Sequence, residues 1–95
     1  MVESDRELLE LAAKAAGIKI NTSKYKNWNP LNNNYELARL EVACRINSFN
    51  GEDFVCAESG GVSVFEKFID HNNDRHAARR RASTVAAAMI GKYMG

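Results

Sequence analysis

Residues 44–69 read Cys44-Arg-Ile-Asn-Ser-Phe-Asn-Gly-Glu-Asp-Phe-Val-Cys-Ala-Glu-Ser-Gly-Gly-Val-Ser-Val-Phe-Glu-Lys-Phe-Ile69. Two turn signals divide this stretch. Asn50-Gly51 and Gly60-Gly61 both combine residues that tolerate positive φ, which a type I′ hairpin needs at its two corner positions. Apolar side chains alternate between and beyond them, so the stretch is expected to be a three-stranded antiparallel meander. With both pairs as two-residue turns, one face carries Cys44, Ile46, Val55, Ala57, Val62, Val64 and Phe68. The other carries Phe49, Phe54, Cys56, Phe65 and Ile69 among Arg45, Asn47, Glu52, Glu58 and Lys67. A sheet with one wet side alternates more cleanly than this. The second face is therefore covered by a helix or is itself a contact surface.

Helical signals lie on both sides of the meander. Ser4 and Glu7 have capping-box spacing. Leu8, Leu11, Ala12 and Ala15 follow at i, i+3, i+4 and i+7, and Gly17 stands where a left-handed residue would end the helix. Ile18-Lys19-Ile20-Asn21-Thr22 alternates briefly and offers a fourth, edge strand. Asn27 to Asn34 is a loop by composition, rich in asparagine and holding Trp28 and Pro30. A short helix is expected from about Asn34 to Ala43, capped by one of Asn32, Asn33 or Asn34 and running directly into the first strand. The last helix is expected to start with Asn72 or Asn73 as cap and Asp74 at its positive end, and to run to about Met94. One domain covering 1–95, of the α+β class, accommodates all of these.

Composition narrows the function classes. The chain has 95 residues and a formal charge of +1, so no overall field steers it toward nucleic acid or anionic lipid. No stretch reaches the roughly 18 apolar residues of a membrane span, and the first residues lack the pattern of a secretory signal. Cys44 and Cys56 belong to no C-x-x-C motif. A cytoplasmic location is the expectation.

The conspicuous polar feature is Arg75-His-Ala-Ala-Arg-Arg-Arg81. A basic helix can follow phosphates, and Arg75, Arg79, Arg80 and Arg81 are the candidate anion or nucleic-acid contacts. At about 100° per residue, Ala78, Ala82, Val85, Ala86, Met89, Ile90 and Tyr93 form one apolar arc. Arg75, Arg79 and Arg81 flank this arc and only Arg80 points squarely away. Flanking arginines ordinarily lay their stems along apolar surface and keep their charge in water. His71 and His76 lie near Asp70 and Asp74, but the spacing matches no metal-ligand pattern, and no nucleophile sits in a recognisable motif. No catalytic residue, metal or cofactor is assigned. Trp28 in Trp-Asn-Pro-Leu31 is either a binding anchor or a pin holding a long loop on the core. With Asn29, Pro30, Leu31, Phe49, Phe54 and Phe65 it makes up the candidate interaction surface.

Three segments in this order carry a resemblance: Glu7-Leu-Leu-Glu-Leu-Ala-Ala-Lys-Ala-Ala-Gly-Ile18, Trp28-Asn-Pro-Leu31, and Asn73-Asp-Arg-His-Ala-Ala-Arg-Arg-Arg-Ala82 leading into Val85-Ala-Ala-Ala-Met-Ile-Gly91. Together they resemble the phage ABA sandwich domain family, small proteins of tailed phages and prophages. The chain departs from the family pattern after Leu31, where Asn32 to Asn34 stand in place of acidic and glycine residues. The resemblance implies helices on both faces of the sheet, an α/β/α sandwich, and expression in the cytoplasm of a bacterial host. It implies no activity. The expected function is that of a non-enzymatic accessory protein binding a host or phage protein, such as a defence component. The alternative is a nucleic-acid or nucleotide binder using the basic helix, and an uncovered Phe face would favour a homodimer.

Overall fold

The computed structural model describes residues 5–19 and 28–94. Helix α1 spans Asp5–Ala16. Gly17 N–H donates to Lys14 O at 3.2 Å and Ile18 N–H to Ala13 O at 2.8 Å, the paired bonds of a Schellman ending. Ser4 of the expected capping box and most of the expected edge strand fall outside the described residues. Helix α2 spans Asn34–Cys44 and is capped by Asn33, whose side chain accepts from the Tyr35 and Glu36 N–H groups. The chain then enters a sheet of β1 (Asn47–Asn50), β2 (Phe54–Ser59) and β3 (Val62–Lys67), antiparallel in the order β1-β2-β3. A 3₁₀ turn over Phe68–His71 leads to α3, Arg75–Lys92.

The two hairpins form by different means. Gly60 and Gly61 both have positive φ, 50° and 91°, and Ser59 pairs with Val62, giving the expected two-residue turn. The first turn slides along the chain: Asn50 pairs with Val55, and Gly51 N–H donates to Phe54 O at 2.7 Å. Its corners are Glu52 and Asp53, in place of Asn50 and Gly51. Gly51 lets the Phe54 ring lie close against the turn, since a Cβ there would stand 2.6 Å from the ring and displace it. The slide is an even number of residues, so every side chain keeps the face it was assigned.

The α+β class, the antiparallel meander and the packing of helices on the sheet agree with the sequence reading. Helix α3 lies across β2 and β3, while α1 and α2 pack on α3. Ala12, Ala13, Leu40, Ile46, Val55, Ala57, Val64, Phe68, Ala82 and Ala86 meet in one core. The described helices thus gather on one side, where a sandwich with helices over both faces was expected. The reason lies in α3. It buries Ala78, Ala82, Ser83, Thr84, Ala86, Ala87, Ala88 and Gly91, residues distributed around much of its circumference. Met89 and Tyr93, placed on the expected apolar arc, are exposed. A helix buried on several sides offers α1 and α2 a place to pack that does not involve the far face of the sheet. Small residues permit this closeness: a Cβ on Gly91 would stand 2.0 Å from the Leu11 carbonyl oxygen. The α3 cap is Asp74, since Asn72 and Asn73 both take left-handed conformations before it.

Candidate interaction surface

The strand register places Phe49, Cys56 and Phe65 side by side across the sheet, with Phe54 next along β2 on the same face. Phe49 is 50% exposed and Phe65 62%. The Phe54 and Phe65 rings are tilted at 58° with centroids 5.6 Å apart, an edge-to-face arrangement that aromatic quadrupoles favour. Cys56 is buried although it belongs to the outer face, and its neighbours there are these three rings. Burial, and then the Glu58 carboxylate, push its thiol pKa up. Burial does the same for Cys44. A thiol with a raised pKa is a poor nucleophile. Asn47, Glu58, Ser63 and Lys67 complete this face, giving an apolar centre with a polar rim.

Within the Trp28–Leu31 segment Trp28 and Pro30 are buried, so these two pin the loop to the core, while Asn29 and Leu31 are partly exposed. Trp28 is 7% exposed and clusters with Leu40 and Val55, and Pro30 is fully buried. The Asn29 side chain accepts from Leu31 N–H at 3.0 Å, closing a local turn that holds the two buried rings in place. Leu31 is half-buried. Of the seven residues expected to share one surface, the sheet face gathers three, and the loop residues stand apart from them.

The basic run is drawn into the fold. The Arg75 guanidinium stacks over Phe68, 4.6 Å from the ring centroid. Arg79 grips both oxygens of Glu41, which also accepts from Ser83 Oγ at 2.6 Å. Glu41 and Ser83 are buried, so the carboxylate sits in a nearly dry site between α2 and α3, which the partly exposed Arg79 closes from the solvent side. Arg80 donates to Leu31 O at 2.8 Å and to Asn34 Oδ1 at 2.9 Å. Arg81 reaches Asp5 on α1 at 2.7 Å. The arginines do fan around the helix, but each one finds a different neighbour. The Asp74 carboxyl is held below its usual range, first by the Ala77 N–H and further by the His76 N–H and the Arg80 charge.

His71 Nε2 lies 2.8 Å from Glu66 Oε1. Among the described residues no three His, Cys, Asp or Glu side chains gather in one place, and no helix is long and apolar enough to cross a membrane. A second apolar surface escapes the sequence reading. Tyr35, Ala38 and Val42 form an exposed strip on α2, on the side opposite Leu37 and Leu40. Its i, i+3, i+7 spacing is legible in the sequence, but the stronger inward stripe overshadows it. Comparison of the chain with family models, curated protein sequences and solved structures finds no match in any of them.

Proposed function

We propose that this α+β domain is a non-enzymatic binding module whose open sheet face docks on another protein. One observation carries the reading: Phe49 and Phe65 stand largely exposed beside Phe54 on a single face while the opposite face builds the core. Contiguous exposed aromatic surface with a polar rim is characteristic of docking sites. The tilted rings and the Glu58 carboxylate on this face suit a protein partner better than stacked bases and phosphates. A host or phage protein is the partner that the sequence resemblance suggests, encountered in the bacterial cytoplasm. The basic-helix alternative draws no support from guanidiniums already engaged with Phe68, Glu41, Leu31 and Asp5.

A photo-crosslinking side chain at position 65 tests the proposal in bacterial lysate. The expected result is a discrete protein adduct that is lost on Phe49→Ser and absent when the crosslinker sits at Lys92. Identical adducts at both positions, or none at 65, refute it. An adduct with a second copy of the chain would make the partner a dimer mate.

A further inference from the structure

Helix α2 is apolar on two sides, and only one of them is used. Leu37, Leu40 and Cys44 face the core, whereas Tyr35, Ala38 and Val42 line a shallow exposed groove with Arg39 and Ala43. Val42 is 79% exposed and Tyr35 66%. An apolar strip at helical spacing on a surface helix matches the way one helix receives another.

Among the residues lining this groove the one charged side chain is that of Arg39. The Arg39 guanidinium lies 5.7 Å from the Tyr35 ring centroid. Among the described residues neither Arg39 nor Arg45 has a carboxylate within ion-pair distance, whereas Arg79 and Arg81 do. Arg45 also borders a second cleft, shared with Ala38, Val42, Asn47 and the Arg79–Glu41 ion pair, so the guanidiniums left without a carboxylate beside the strip are those of Arg39 and Arg45. The Arg45 backbone adds an independent observation. It ends α2 in a left-handed conformation, φ 54°, where its N–H donates to Val42 O and Ile46 N–H donates to Glu41 O. Glycine is the ordinary occupant of that position, and a side chain there carries a steric cost. The chain carries this cost at a residue whose exposed guanidinium has no carboxylate partner among the described residues.

From these features we infer that the outer face of α2 docks an acidic segment of a partner protein, with apolar residues at helical spacing entering the Tyr35–Val42 strip and carboxylates meeting Arg39 and Arg45. The surface is distinct from the Phe face, with Asn47 at the boundary between them.

Selection of random linear peptides displayed against the immobilised protein tests this even though the natural partner is unidentified. Recovered peptides should combine acidic residues with apolar ones at i, i+3 or i+4. Val42→Asp should weaken their binding at least about tenfold, and Phe49→Ser with Phe65→Ser should leave it unchanged. Arg45→Gly separates binding from folding: it should raise thermal stability while weakening the peptides roughly three- to tenfold. Arg39→Glu with Arg45→Glu should instead enrich basic peptides. The inference is overturned if no peptides are recovered, if they show no acidic excess, or if they bind Val42→Asp as well as wild type. It is equally overturned if an oligothymidylate probe binds this face with the same dependence on Arg39 and Arg45.

Discussion

On the inner face of the sheet, Val55, Ala57 and Val64 meet an alanine-rich helix and are almost lost from solvent, whereas on the outer face the much larger Phe49 and Phe65 stay half exposed or more. The bulkiest apolar residues of the strands lie outside the core. The closed side reaches its density through small residues and close backbone approach, and the open side keeps area available. Stability and the proposed contact therefore fall to different residues, and substitutions on the two sides should give opposite phenotypes.

The largest effect is expected where the closed side has no slack. Gly91→Ala puts a methyl group onto the Leu11 carbonyl, and backbone cannot yield as a side-chain tip does. A loss of about 3 kcal/mol or more is expected in urea unfolding. A variant within about 1 kcal/mol of wild type would show that α1 and α3 separate easily. Glu41→Ala comes next. It strands Ser83 and leaves Arg79 without its partner. Because the arginine is partly in water, we expect about 2–3 kcal/mol, toward the lower end for a broken buried pair. The smallest effect should fall on the open side. Phe49→Ser with Phe65→Ser should cost only about 1 kcal/mol while improving solubility at high concentration. A cooperative collapse of that double variant would mean that the outer rings are structural, and the contrast between the faces would fail.

Much of this architecture is legible in the sequence because it rests on periodicity. Alternation along Ile46–Lys67 assigns every strand residue to its face even though the first turn forms at a different pair, since an even slide leaves the alternation intact. The turn itself is hard to place because Asn50-Gly51 suggests a need for positive φ, and Gly51 serves instead to admit the Phe54 ring. Helix α3 is obscured for a different reason. A search for one apolar arc presumes one neighbour, and alanine, serine, threonine and glycine are buried in α3 without marking a stripe. The expected coverage of the outer face depends on that same presumption. On the proposed contact surface, the Phe residues are recognisable as ambiguous. Whether a Trp in a loop points in or out depends on the Asn29 turn and the packing of Pro30, which no local pattern discloses.

The engagement of Arg79, Arg80 and Arg81 with α2, the Leu31–Asn34 segment and α1 has a consequence for how such runs are read. Consecutive helix residues point about 100° apart, so three adjacent long side chains can all find partners on other segments only if the helix has neighbours on several sides. In a helix at the periphery, at least one of them would reach only solvent or its own helix. The run therefore reports a coordination number: it marks α3 as the hub of the fold, which its weak apolar pattern conceals.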